Sequence, residues 1–191
     1  MQHVKIPQDR VGALIGEGGE TMRAIEDRAE VRLDIDSETG QVAVETTGDP
    51  VTALKGPDIV KAIGRGFAPE EAMRLLDDEL MLFEIIDIDA ASRNRNDLRR
   101  HKGRLIGEDG RTRELMEELT GASVVIYGST LGIIGDPEQV EAVREAAQMI
   151  IDGAPHGAVY SFLEERGELA ETLNVPDATA STGTDDAEAP F

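Results

Sequence analysis

A pair of glycines, Gly107 and Gly110, lies at the centre of the stretch best suited to chemistry, Lys102 to Arg113. Glycine permits a backbone bend that a Cβ would obstruct, and its bare surface lets a ligand approach closely. A helix that follows such a bend presents free N–H groups and a positive dipole end, which suits phosphate. Gly16 and Gly19 repeat this spacing upstream. We therefore expect these loops to hold the phosphates of a single-stranded nucleic acid.

Positive charge is concentrated around the second glycine pair. Positions 93 to 113 contain eight Lys and Arg residues and three acidic residues, which gives this stretch a net charge of +5, whereas the remaining chain carries −25. The eight are Arg93, Arg95, Arg99, Arg100, Lys102, Arg104, Arg111 and Arg113. Such an island in an acidic protein predicts an anionic partner at this place. Salt bridges with neighbouring acids are the alternative explanation.

The candidate binding residues comprise both loops and the side chains beside the second one. They are Arg99, Arg100, Lys102, Arg104, Ile106, Gly107, Glu108, Asp109, Gly110, Arg111 and Arg113, with Ile15, Gly16, Glu17, Gly18 and Gly19 in the first half. The acids between the glycines oppose phosphate, by about 1 kcal/mol for an exposed charge at ~4 Å. Because the arginines can outweigh this in the second half, we expect that half to do most of the binding. The first half assists it or docks protein.

Aliphatic side chains are expected to line the groove in place of aromatic ones, since aromatic residues make up only 3% of the chain. The expected lining is Leu105, Ile106, Val124 and Ile126. For each of these taken singly, packing in the core is the alternative.

The composition excludes several kinds of site. The 191 residues contain no cysteine, which rules out disulfides, Cys-based zinc sites and thiol nucleophiles. His3, His101 and His156 are scattered without metal-ligand spacing, and no catalytic group or cofactor motif is identifiable. No apolar run reaches the roughly 20 residues of a membrane span, so we expect a cytoplasmic protein. The net charge of −20, spread along the chain, is interpreted as adaptation to molar salt.

The two loops are positioned by two copies of one α+β pattern. Gly16 aligns with Gly107, which lies 91 positions later. Each loop stands between two helices and is followed by two strands of alternating apolar residues and then by Gly-Asp-Pro at the start of another helix. The order is βααββα twice, which predicts a duplicated domain of about 70 residues.

The same pattern sets the expected boundaries. They are 1–67 for the first domain, 68–82 for a connecting helix, 83–155 for the second domain, 156–173 for a C-terminal helix and 174–191 for a disordered acidic tail. The pattern also predicts that Gly103 interrupts the helix before the second loop, and that the first strand of the second domain covers residues 83–88.

Several further motifs are concentrated in the second half. They are Gly103–Gly107, Gly110–Arg113, Val125–Thr130, Ile133–Gly135 and Gly153–Tyr160. With these motifs, about residues 1 to 173 resemble KH-domain proteins, and the second half most specifically resembles the archaeal and eukaryotic Krr/Pno-type proteins of small-subunit ribosome assembly.

This resemblance implies two tandem type I KH domains, each a three-stranded antiparallel sheet with helices on one face and a Gly-x-x-G loop that clamps about four nucleotides. It implies binding of pre-rRNA near the 3′ end of small-subunit rRNA. The implied partners are the endonuclease that trims this end, small-subunit assembly factors and an initiation-factor subunit, and the implied source is a halophilic archaeon. KH loops usually carry a basic residue between the glycines, whereas this chain has acids there.

Other functions fit the sequence less well. Nucleotide binding is disfavoured because Gly-x-Gly-x-x-Gly spacing is absent and no Gly-Lys-Ser/Thr follows either loop. A metal-dependent nuclease could use Asp77, Asp78, Asp87 and Asp89, although acids in so acidic a chain are usually solvated. The serious alternative is a protein adaptor that uses KH folds as docking surfaces. A general single-stranded RNA-binding protein is a broader form of the main hypothesis.

Overall fold

The computed structural model describes residues 1–173. The first half contains β1 (Gln2–Lys5), α1 (Gln8–Ile15), α2 (Glu20–Ala29), β2 (Val31–Asp36), β3 (Gln41–Thr46), α3 (Pro50–Ala53) and α4 (Gly56–Gly64). A short helix α5 (Pro69–Met73) and a 3-10 turn (Arg74–Leu76) lead to the second half. That half contains β4 (Leu82–Asp87), α6 (Arg95–Ile106), α7 (Arg111–Thr120), β5 (Ser123–Tyr127), β6 (Thr130–Gly135), α8 (Pro137–Ile151) and α9 (His156–Leu173).

Each half contains one three-stranded antiparallel sheet, in the order β1-β3-β2 and β4-β6-β5. Apolar residues alternate along the strands, so that one face of each sheet is covered by the helices of its own half. In β2, for example, Val31 and Leu33 are buried whereas Arg32 and Asp34 are exposed. The predicted duplicated βααββα fold of the α+β class is confirmed.

The repeated Gly-Asp-Pro begins a helix in both halves. The Asp49 carboxylate accepts a hydrogen bond from the backbone N–H of Thr52 at 2.8 Å, and the pKa of Asp49 is held below its usual range by this bond. Asp136 caps α8 in the same way by accepting a hydrogen bond from the Gln139 N–H, and the Gln139 Oε1 accepts one in return from the Asp136 N–H. Proline follows each cap, where its missing N–H costs no helical hydrogen bond.

Two local predictions were wrong, and the ends of one correctly predicted strand differ by a residue. The connecting segment 68–82 is not one helix, because α5 ends at Met73 and β4 already begins at Leu82. The Lys55 ammonium holds the intervening segment by donating to the carbonyls of Glu79 and Met81. Gly103 does not interrupt α6, since this glycine is exposed and the helix is continuous through it. The strand predicted for 83–88 ends at Asp87.

The two halves share an apolar interface. The face of the second sheet that points away from its own helices packs on the first half through Phe83, Val125 and the fully buried Ile134. Phe67 meets Phe83 edge to face, with ring centroids 6.0 Å apart. Because residues on both sides of positions 67 and 83 belong to one core, the packing does not test the domain boundaries predicted there, and they stay predictions. The tail predicted for 174–191 lies outside the described residues.

Candidate nucleic-acid interface

The two glycine loops have the same backbone conformation. Gly16 and Gly107 have φ/ψ of 73°/176° and 78°/175°, and Gly19 and Gly110 have 79°/17° and 80°/7°. All four φ values lie in the left-handed region that favours glycine. The repeat recognised in the sequence is therefore a repeat of backbone geometry.

The glycines of the second loop differ in how much room surrounds them. A Cβ on Gly107 would lie 2.2 Å from the Thr112 Oγ1 and 2.7 Å from its backbone nitrogen. At Gly110 no heavy atom lies within 4 Å of such a Cβ. Gly107 is therefore required for the bend itself, whereas Gly110 leaves open space beside it. No side chain caps α7 at Gly110, so the N-terminal end of this helix is available to an anion.

The acid in the second loop occupies a left-handed position. Asp109 has φ 53°, and Gly18 has φ 56° at the matching place in the first loop. Asp is among the few non-glycine residues that tolerate this region. Glu17, Glu108 and Asp109 are exposed or half-exposed, so their charges are screened by solvent.

The cations of the predicted island separate into two groups. Arg99 and Lys102 have no ion-pair partner among the side chains of residues 1–167, and with Arg95 and Ile106 they line an open cavity of about 620 Å³ along α6. Arg100 instead pairs with Asp97 at 3.3 Å, and Arg111 pairs with Glu114 and Glu118. These pairs are exposed and weak, and a phosphate can compete with them.

Arg113 is held more firmly by its own helix. Its guanidinium lies 2.6 Å from the Glu117 carboxylate, and both side chains are largely covered. Glu117 also accepts the backbone N–H of Val124 at 2.8 Å, as Glu26 accepts that of Leu33 in the first half. Arg113 therefore helps to join α7 to β5, which leaves it less available to RNA than the sequence indicates.

Arg104 is the clearest departure from the sequence-based expectation. Its guanidinium donates to the carbonyls of Ile150 and Ala154 at the end of α8, and its own carbonyl is 2.8 Å from the His156 Nε2. Both ends of this residue thus hold α6 against the α8–α9 junction. The structure places Arg104 in the scaffold, and we leave it out of the phosphate-binding set.

Of the four aliphatic residues expected to line the groove, two have exposed side-chain surface and two do not. Leu105 and Val124 are fully buried in the core of the second half, whereas Ile106 and Ile126 are only partly buried. Only the second pair can offer surface to a base. In the first half Ile15 is likewise partly buried beside its loop.

The C-terminal helix adds residues that the sequence reasoning did not include. His156 and Tyr160 line a second open cavity of about 620 Å³ together with Glu108, Asp109 and Arg111. The Tyr160 hydroxyl is 3.0 Å from the Thr112 Oγ1, so α9 is joined to the first turn of α7. Both residues belong to the motif Gly153–Tyr160, which the sequence analysis singled out. Because this motif lies more than 40 residues after the loop in the sequence, its contact with the loop could not be predicted.

The first loop is more strongly tied to its own helix. The Arg23 guanidinium donates to the carbonyls of Gly18 and Gly19, at 2.5 and 3.2 Å. No basic side chain of the first loop region stands free in the way that Arg99 and Lys102 do in the part of the chain described. Positive charge is thus concentrated at the second loop.

The acids considered for a metal-dependent nuclease serve local structure. Asp78 and Asp87 accept backbone N–H groups two or three residues further along, and Asp77 pairs with Arg28. Among the described side chains, those of residues 1–167, no group of three or more His, Asp or Glu residues is arranged to hold a metal ion. None of the described helices is long and apolar enough to cross a membrane.

Family models match both halves. Residues 82–168 match the eukaryotic-type (type I) KH domain, and residues 1–60 match the KH domain. A KH domain-containing protein of Methanocaldococcus jannaschii is 46% identical over 164 residues, which cover 84% of this chain and 71% of that protein. The pre-rRNA-processing protein Pno1 of Emericella nidulans is 37% identical over 142 residues. The match covers 72% of this chain but only 55% of that fungal protein.

Solved structures agree with these matches. Dim2p from Pyrococcus horikoshii superposes with a TM-score of 0.80 at 47% identity, over 86% of this chain and 98% of that one. The structure of an a/eIF2α–aDim2p–rRNA complex from the same organism matches with a TM-score of 0.82 at 46% identity, over 87% of this chain and 93% of that one.

Proposed function

This chain belongs to the KH-domain family that includes the Pno1 and Dim2 proteins, and on that basis we propose that it binds single-stranded rRNA or pre-rRNA near the 3′ end of the small-subunit rRNA during processing and assembly. It acts as a binding protein and not as an enzyme. The observation that carries the proposal is the open left-handed bend at Gly107–Gly110 beside the unpaired charges of Arg99 and Lys102.

The chemistry of this arrangement suits an unpaired strand. The bend and the uncapped start of α7 offer backbone N–H groups to phosphate oxygens. Arg99 and Lys102 add positive charge along α6, while Ile106 and Ile126 offer aliphatic surface to bases. KH domains hold about four nucleotides in this way. Arg100 and Arg111, in weak exposed pairs, can join the phosphate contacts.

The first half has a supporting role in this proposal. Its loop at Ile15 and Gly16–Gly19 has the same bend but includes Glu17, and Arg23 is engaged with loop carbonyls. We assign it weaker RNA binding or a protein contact. The endonuclease that trims the rRNA end, small-subunit assembly factors and an initiation-factor subunit are the proposed partners. The solved relative bound to both rRNA and a/eIF2α supports the RNA and the initiation-factor contact.

Fluorescence anisotropy with a labelled RNA of the small-subunit 3′ end tests the proposal. The variant is Gly110→Asp, because an added side chain there meets open space, Asp tolerates the left-handed φ of 80° better than most residues, and the change places a negative charge at the phosphate. The matched variant is Gly19→Asp, since the heavy atom nearest to a Cβ at Gly19 is Arg23 Nη2, at 3.9 Å. We expect Gly110→Asp to lower the affinity at least tenfold and Gly19→Asp to lower it less.

The controls separate the alternatives. A scrambled RNA bound equally well would indicate a general single-stranded RNA-binding protein. Unchanged RNA affinity in Gly110→Asp, with the circular dichroism of the wild type, would contradict the proposal and favour the protein adaptor. A reduction in Gly19→Asp equal to or greater than that in Gly110→Asp would reverse the ranking of the two halves.

A further inference from the structure

A second group of cations lines a cavity between the two halves. The cavity has a volume of about 250 Å³ and lies between strand β1 and strand β4, with Ile85 on its β4 side. Four basic side chains border it, His3 and Lys5 from β1, Lys61 from α4 and Arg65 from the residue after α4. The tertiary fold therefore gathers basic charges as far apart in the sequence as Lys5 and Arg65, which are 60 positions apart.

This concentration of charge is unusual for the chain. The sequence contains 19 Lys and Arg residues against 39 acids, and Lys5, Lys61 and Arg65 meet at this cavity. No Asp or Glu is among the described residues that line it. Asp58 pairs with Lys61 at 3.0 Å, but both side chains are more than 40% exposed, so this pair is weak.

The cations of the cavity do not hold backbone segments in place as some other basic side chains do. Lys55 and Arg10 each donate two hydrogen bonds to backbone carbonyls and so stabilise loops. The side chains of Lys5 and Arg65 have no hydrogen-bond or ion-pair partner among the described side chains and backbone groups. Their charges are available to an external anion.

The cavity is separate from the two glycine loops. In both sheets the strand beside the loop helices, β2 or β5, is at one edge. Strands β1 and β4 form the opposite edges, where the cavity lies. A ligand bound there does not compete with one in the groove of the second half.

We propose that this cavity binds a phosphate of the same RNA outside the stretch held in the groove, a step that rests on the proposed function. The volume suits a single phosphate with its sugar and is too small for a partner helix. Lysines and an arginine from three segments converge on it, and Val4, Ile6 and Ile85 give an apolar floor. Because the remaining surface is acidic, a polyanion can approach only where such islands exist.

The test compares a double variant, Lys5→Gln with Lys61→Gln, with a control that removes two positive charges elsewhere. The control is Arg32→Gln with Arg144→Gln, both exposed residues that do not line the cavity. Each is titrated with a 3′-end RNA of about 12 nucleotides and with its groove-length fragment of about four, the latter followed by amide NMR shifts. Thermal unfolding verifies that both variants fold.

We expect the double variant to bind the longer RNA about tenfold more weakly at low salt, and the slope of log K against log salt to fall by about 0.7 for each phosphate that the variant no longer binds. The control and the short fragment should show no such weakening. If the longer RNA binds the double variant and the control equally well, the cavity proposal is wrong while the groove proposal stands. If the wild type binds neither RNA, the proposed function fails first.

An additional titration tests whether the anion bound by the cavity belongs to an acidic protein and not to RNA. A polyglutamate peptide is titrated against the wild type and the double variant under the same conditions. Peptide binding that depends on Lys5 and Lys61, together with RNA binding that does not, would overturn the proposal in favour of an acidic protein partner.

Discussion

The guanidinium of Arg10 lies against the ring of Tyr127, with its central carbon 5.9 Å from the ring centroid. The neighbouring Asp9 accepts a hydrogen bond from the Tyr127 hydroxyl, and Arg10 also donates to the carbonyls of Ile63 and Phe67 at 2.8 Å. Helix α1, which ends at the first glycine loop, is thereby joined to the end of β5, the strand beside the loop helices of the second half. These contacts fix the position of the first loop's helix relative to the second half, which contains the second loop.

This contact predicts a pH-dependent contribution to stability. The pKa of Tyr127 is raised above its ordinary value of 10.0, chiefly because the hydroxyl donates to Asp9. The contribution is therefore complete below about pH 10 and is lost as the pH rises through the raised pKa. We expect Tyr127→Phe to lower the urea midpoint at pH 8, and the difference from wild type to shrink at higher pH.

Asp9→Asn is the companion variant for that measurement. It keeps a hydrogen-bond acceptor but removes the charge, so its destabilisation at pH 8 should be smaller than that of Tyr127→Phe. A wild-type midpoint that exceeds the Tyr127→Phe midpoint by the same amount at every pH would show that the ionising hydroxyl is not responsible.

Asp109→Asn should strengthen RNA binding. Asparagine tolerates the left-handed φ of 53° that this position has, and the change removes one charge from the phosphate clamp. An exposed charge at ~4 Å contributes about 1 kcal/mol, which corresponds to roughly a fivefold gain at low salt. Titration in low and high salt measures it, and the gain should shrink as salt screens the charge.

The control for Asp109 is Asp34→Asn on the outer face of the first sheet, an exposed acid far from the second loop. An equal gain for both variants would mean that only the net charge of the protein matters. Weaker binding in Asp109→Asn would mean that the carboxylate itself contacts the RNA.

Arg99→Gln with Lys102→Gln should lower both the affinity and its salt dependence. Each phosphate that is no longer bound is expected to reduce the slope of log K against log salt by about 0.7. The charge-matched control is again Arg32→Gln with Arg144→Gln. Slopes that coincide for the two double variants would exclude α6 from the phosphate path.

Arg104→Met should weaken the fold and leave the salt dependence of RNA binding unchanged. The substitution removes the two bonds from the guanidinium to Ile150 and Ala154, and charge-assisted bonds of this kind suggest a destabilisation of about 2 to 4 kcal/mol. Urea unfolding measures it. Arg99→Met on the same helix is the control, and as an exposed change it should stay within about 0.5 kcal/mol. Equal free energies of unfolding for the two variants would contradict the structural role of Arg104 and would favour a role in RNA binding.

Much of the fold follows from short stretches of sequence. Alternation at Val31 and Leu33 predicted β2, Gly-Asp-Pro predicted the starts of α3 and α8, and the spacing of Gly107 and Gly110 predicted a bend. The prediction of one connecting helix was wrong because the conformation of this segment depends on Lys55. The Lys55 ammonium, which lies about 25 residues earlier in the chain, donates hydrogen bonds to the carbonyls of Glu79 and Met81. Local patterns contain no information about that contact.

The sequence by itself determined the duplicated βααββα order and the left-handed bends, because backbone conformation is governed by the residue at each position and its neighbours. Only the tertiary structure decided which cations remain free. Arg99 and Arg104 are five residues apart on one helix, yet one faces an open cavity and the other binds the end of α8. Whether a charge is available depends on which distant carbonyls and carboxylates the packing brings within hydrogen-bond distance.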